Sequence, residues 1–306
     1  MSITHAHATI AGWPVGAIAV AAGLAFGPVL VADTITDSPA MNAVPITTHY
    51  GAATELARQR QAMLLVSVEP AGGDPTDAAG QWLERADVQE RFAASGTPWV
   101  FCRIGIDDPS ATDGPQPRLI DHPSLAELRH GPGIFVVDHA HDEEGLAGRI
   151  VSILPRRPGK YYRFDPAHID ELASLPAGTL TQRSLILAVR IHPERPHSVQ
   201  GVRDPVLARE AAAHSEHQAR IRRQGHHDWQ TRSQRIHGLV PGGYPTEVCA
   251  ESWEDQDLLD SCVDCVASWR QSSGHWNAVK SPQAAYGYDI RRGANGIWYA
   301  TGIFTP

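Results

Sequence analysis

Apolar and polar positions change period several times along this chain. Tyr50 to Arg60 is spaced like a helix, whereas Met63-Leu-Leu-Val-Ser-Val68 is an apolar run of the length of a buried strand. Helical spacing returns from Thr76 to Ala94 through Trp82, Leu83, Val88 and Phe92. Pro98 to Ile106 predicts a second strand and Pro123 to His130 a short helix. Ile134 to Val137 and Arg149 to Ile153 predict two further strands, and Pro166 to Leu175 a closing helix. Strands interleaved with helices and ending in a strand pair predict a mixed sheet covered by helices.

The second half has a different rhythm. Leu185 to Ile191 fits a strand or a short apolar helix, and His192 to His197 fits a linker. Asp204-Pro205 opens a helix with a capping side chain followed by proline, and that helix runs through Leu207, Ala211 and His214 toward Gly225. His214 and His217 fall on one face, expected to be solvated. A helix from Asp255 to Arg270 carries a broad apolar stripe that includes Leu258, Cys262, Val266 and Trp269. It leads into Ser272-Ser-Gly274-His275-Trp276-Asn277, where glycine before histidine predicts a tight turn and the indoles of Trp269 and Trp276 could wall a pocket.

Composition narrows the function classes. With 26 basic and 34 acidic side chains the formal charge is -8, which argues against a general nucleic-acid binder. Residues 1–32 carry no Lys, Arg, Asp or Glu and are almost wholly apolar from Ala11 to Ala32, which suits a signal peptide or N-terminal anchor and hence export to the periplasm or medium. If retained, residues 11–32 are long enough for a membrane tether. Residues 33–48 have a linker composition. Cys262-Val-Asp-Cys265 lies within a helical stripe rather than at a helix start, which predicts a packed pair or a local disulfide instead of a redox centre. The other two cysteines, Cys102 and Cys249, supply no second C-x-x-C, so a four-cysteine zinc site of that pattern is excluded.

The predicted βαβαββα order over residues 49–178 resembles the thioredoxin fold. Gly131-Pro132-Gly133 stands where that fold places a cis-proline, and Gly73-Asp74-Pro75-Thr76 where it places its cysteine pair. Without those thiols the resemblance implies a non-redox binding or spacer module. After a connector at 179–202, residues 203–306 resemble the CAP superfamily in its bacterial SCP-like form. The resemblance rests on the histidines after the first helix, on Ala250-Glu251-Ser252, on Trp269-x-x-Ser272-x-Gly274-His275-x-Asn277 and on the aromatic segment from Trp298 to Phe304. The fold expectation is therefore α/β: a thioredoxin-like mixed sheet with flanking helices, followed by a CAP-like α-β-α sandwich.

The CAP resemblance implies a cleft of His226 or His227, Glu251, Ser272 and His275, with Gly225 favouring His226. Ser272 stands where eukaryotic members often carry a second glutamate, which favours binding over catalysis. The expected function is thus binding of an envelope component, a lipid or a peptide. The alternatives are a metal-dependent hydrolase, with His226 and His275 holding a divalent ion such as zinc and Glu251 as general base, and a structural interaction protein with a relict cleft.

Overall fold

The computed structural model describes residues 44–306 apart from 71–78, 109–117, 130, 143–144, 158, 161 and 163–165. The apolar run at 11–32 and the Gly73-Asp74-Pro75-Thr76 stretch lie outside the described residues. Residues 41–306 form one compact unit of α/β class. Among the described residues no helix is long and apolar enough to cross a membrane.

The first half runs through β1 (Ile46–Thr47), α1 (Tyr50–Arg60), β2 (Met63–Glu69), α2 (Ala79–Glu84), α3 (Ala86–Ala93) and β3 (Trp99–Gly105), then β4 (Gly133–Asp138), β5 (Arg149–Pro155) and α4 (Pro166–Ala173). The sheet order is β1-β3-β2-β4-β5. β1 and β2 run parallel to β3, while β4 is antiparallel to β2 and β5. In central β2, Met63 and Leu65 enter one apolar cluster and Leu64, Val66 and Val68 another. Burial on both faces explains why that strand is apolar without alternation.

Three local expectations are revised. Helical spacing over 76–94 belongs to two helices, because Arg85 adopts an extended conformation and becomes the N-cap of α3. Pro123 to Leu128 is 3-10 rather than α, with the His122 ring accepting from Ser124 N–H. Pro132 is trans, since no cis peptide bond occurs among the described residues.

The second half comprises α5 (Leu180–Arg190), β6 (Val202–Arg203), α6 (Pro205–Ile221), α7 (Trp229–His237), β7 (Thr246–Glu251), α8 (Leu258–Gln271), α9 (Ser273–Lys280), β8 (Ala285–Arg292) and β9 (Trp298–Thr305). The Leu185–Ile191 ambiguity resolves as helix, started by a capping box between Thr179 and Gln182. Its sheet has the order β6-β8-β9-β7, with β8, β9 and β7 antiparallel and β6 parallel to β8. α6 packs so closely on β8 that a Cβ at Gly287 would stand 2.2 Å from the Leu207 carbonyl carbon. Glycine there is a packing requirement.

α5 ties the halves together. One apolar cluster runs from Phe101 and Ile134 through Leu185 and Val189 to Trp269 and Phe304. Arg183, fully buried on α5, donates to Ser152 Oγ at 2.8 Å and to the Leu175 and Pro176 carbonyls at 2.9 and 2.8 Å. Burial pushes its pKa down to about 10. Glu127 from the first half accepts the Leu258 N–H at 2.8 Å and so caps α8. Beside it, Arg157 pairs with Asp257 and Lys160 with Asp260. Burial first, and then the Asp257 charge, raise the Glu127 carboxyl to about 7.

Candidate functional site

The site is assembled from α6, the segment after it, β7 and α9. Asp204 accepts the Val206 and Leu207 N–H groups at 2.7 and 2.9 Å, which fixes the start of α6. Arg222, in the left-handed region at φ 55°, ends the helix and redirects the chain. Two buried polar side chains of α6 then catch the returning backbone. Gln218 Oε1 accepts Gly225 N–H at 3.0 Å, and His214 Nε2 donates to the Gly225 carbonyl at 2.8 Å. Gly225 is held from both sides, so His226 is aimed by α6 rather than left on a free loop.

β7 supplies the acid. Strand alternation sends Val248 and Ala250 into the main apolar cluster and places Glu247 and Cys249 on the other face. The Glu247 side chain is 0% exposed. His226 Nδ1 donates to its Oε1 at 3.0 Å, and Arg232 of α7 donates to its Oε2 at 2.6 Å. Burial alone would raise the Glu247 pKa, yet the hydrogen bonds from His226 and Arg232 and the Arg232 charge outweigh it and hold the carboxyl below its ordinary range.

The second histidine comes from α9. Trp269 anchors the end of α8 with no exposed surface, and α9 begins immediately after Ser272, where Trp276 N–H reaches the Ser272 carbonyl at 2.8 Å. His275 lies in this first turn. Its Nε2 stands 3.2 Å from His226 Nε2. With His226 Nδ1 donating to Glu247, its Nε2 faces His275, and the contact between the two Nε2 atoms is a hydrogen bond in which His275 donates and His226 accepts. His275 is held below the ordinary histidine pKa by partial burial and then by the neighbouring His226, which favours its neutral form. Two imidazoles thus converge at a half-open position, with His226 still 41% exposed.

A second group adjoins the same carboxylate. The ligand atoms of buried His214, Glu247 and Cys249 lie within 4.8 Å of one another, a cluster that could hold a metal. Its members are already engaged, however. His214 Nε2 carries a proton for Gly225, Arg232 occupies Glu247, and burial followed by the Glu247 charge pushes the Cys249 thiol well above its ordinary pKa. A cation there would need a ring flip, a thiol deprotonation and a place beside a guanidinium. The open histidine pair requires only that the proton shared between the two Nε2 atoms move to the far nitrogen of His275 or leave.

Of the residues expected in the cleft, His226 and His275 meet. Glu251 does not reach them through the observed network; it lies exposed at the end of β7, and Glu247, four residues earlier, holds His226. Ser272 sits at the α8–α9 joint and its side chain makes no capping hydrogen bond. His227 turns to the Arg223 carbonyl at 3.2 Å. Gly274 is helical rather than a turn, and a Cβ added there would meet nothing within 4 Å. His214, expected on a solvated face, is only 3% exposed. Cys262 and Cys265 are buried free thiols, which is the packed-pair outcome.

Sequence reading missed Glu247 and Arg232. The strand pattern does not mark Glu247, because it and Glu251 share one face of β7, and it is the packing of His226 and Arg232 that covers Glu247. No family model matches the sequence, and no curated protein is similar enough to it to count as a relative.

Proposed function

We propose that this is an exported CAP-like binding protein, in which His226 and His275 hold a divalent cation such as zinc and Glu247 orients His226. The order α6, α7, β7, α8, α9, β8, β9 supports the CAP-like reading, and the β1-β3-β2-β4-β5 order supports a thioredoxin-like first half. The observation that carries the proposal is the 3.2 Å approach of the two Nε2 atoms. Zn–N bonds of about 2.0–2.1 Å in a tetrahedron place adjacent nitrogens about 3.3 Å apart. The Glu247 hydrogen bond to the remote nitrogen of His226 is the outer-shell contact that metal-binding histidines usually make. When bound, zinc would supply a Lewis-acid contact for a ligand carboxylate or carbonyl, in line with an envelope, lipid or peptide ligand.

Binding is favoured over hydrolysis because Glu247 is a poor general base. Both of its oxygens are engaged and its pKa is depressed, whereas an effective base titrates near the working pH. Calorimetric titration with zinc at pH 7.5 should give one site in the wild type and none in His226→Ala. Zinc-dependent turnover of p-nitrophenyl acetate that disappears in Glu247→Gln would restore the hydrolase reading.

A further inference from the structure

Between α4 and the segment that follows α5 lies an open cavity of about 860 Å³, within the size range of small-ligand sites. Arg190, Arg195, His168, His192 and His197 line it, and among the described residues Glu171 is the one acid of the lining. Arg190 lies 3.6 Å from Glu171, so the described lining has no further acid for Arg195. Glu194, its sequence neighbour, is turned to Arg270 and to Trp276 Nε1, the latter at 3.2 Å. Among the described residues the wall is net cationic.

The wall is preformed. Arg195 N–H reaches the His192 carbonyl at 2.8 Å, and the His197 and Ser198 N–H groups reach the Lys280 and Val279 carbonyls of α9, each at 3.1 Å. Ser198 Oγ is 2.8 Å from Tyr288 Oη. His192 Nδ1 accepts the Glu194 N–H at 3.2 Å, which leaves its Nε2 as a hydrogen-bond donor. Within this frame Arg195 adopts φ 45°, a left-handed conformation that costs a non-glycine residue energy and that clusters at ligand-binding positions. Ile191, Pro193, Pro196 and Val199 add apolar surface beside the cations.

We propose that this cavity binds a phosphate monoester on a small organic body. The planar guanidinium of Arg195 and the imidazole donors would take the phosphoryl oxygens, and the proline and valine surface would take the body. A lone phosphate would leave most of the volume unfilled.

The test is calorimetric titration of the full chain with phenyl phosphate, with inorganic phosphate, and with phenol as the uncharged analogue. One site for phenyl phosphate, weaker binding of inorganic phosphate and none of phenol are expected. Arg195→Gln should weaken phenyl phosphate at least about tenfold, and Arg195→Lys should recover part of that loss. Arg195 is exposed, so an unchanged melting temperature separates lost binding from lost folding. Co-sedimentation with phosphatidic acid vesicles, abolished in Arg195→Gln, would assign the phosphate to a lipid headgroup; phenyl phosphate binding without it assigns a soluble ligand. Equal affinity for phenol and phenyl phosphate, or an Arg195→Gln variant that binds like wild type, would overturn the proposal. His226→Ala should bind phenyl phosphate normally, so failure here and failure of the metal site remain distinct.

Discussion

Glu247 stands between two histidine environments that differ in what they leave free. On one side, His226 gives Nδ1–H to the carboxylate and keeps an Nε2 lone pair directed at His275, at a half-open surface. On the other, His214 lies 3.8 Å from the same carboxylate oxygen but gives its Nε2–H to the Gly225 carbonyl inside the fold. The residue types are alike. Commitment of the nitrogen, rather than nearness to an acid, separates a candidate ligand from a structural strut.

The largest expected effect breaks this comparison directly. His275→Ala should weaken zinc more than about a hundredfold, whereas His214→Ala should change affinity within the range of about 10–100-fold found for supporting residues or less, while lowering stability. Equilibrium zinc competition with a chelating dye measures both. Next in size is the shared carboxylate. Glu247→Ala leaves the largely buried Arg232 without its acid and should cost about 3–5 kcal/mol in urea unfolding. Glu251→Ala, at an exposed strand end, should stay within about 0.5 kcal/mol.

The pH dependence sharpens the contrast once an opposing slope is removed. Burial depresses the pKa of both His214 and His275, so the unfolded chain takes up their protons first and stability is lost as pH falls below 6.5. Glu127 acts oppositely. Its folded pKa of about 7 lies above the ordinary 4.5, so the folded state keeps a proton that the unfolded state has released, and its contribution falls as pH rises from 4.5 to about 7. Glu127→Gln should be about 1–3 kcal/mol more stable than wild type at pH 8, with the difference vanishing below pH 4.5. Denaturation across pH in that variant then shows the histidine slope without the Glu127 part of the opposing one, while Asp289, whose carboxyl burial also raises, still acts against it. The smallest effect concerns Gly274→Ala, which should stabilise α9 by about 0.5–1 kcal/mol without altering zinc affinity, because a Cβ there meets open space.

Period carried most of the fold into the sequence. The strands at Met63, Trp99, Gly133 and Arg149 and the helices at Tyr50, Pro205 and Leu258 follow from apolar spacing and caps. Arg85, which splits one expected helix into α2 and α3, has no breaker chemistry to announce it. At the site, His226 and His275 were legible through Gly225 and the Trp269–Asn277 motif. Glu251 drew attention through its likeness to a family triplet, while the buried acid on the same strand face was Glu247. Alternation along β7 cannot distinguish the two, since they are four residues apart. Burial distinguishes them, and burial depends on α6 and α7 covering one end of the strand and leaving the other open.

The most direct measurement is a long-range ¹H–¹⁵N spectrum of the histidine side chains, recorded before and after one equivalent of zinc at pH 7.5. Nε2 of His226 and of His275 should shift together to the frequency of a metal-bound nitrogen, while His226 Nδ1 and His214 Nε2 stay protonated. A zinc-induced shift at His214 Nε2, with the His226 and His275 resonances unmoved, would place the metal in the buried cluster and contradict the account.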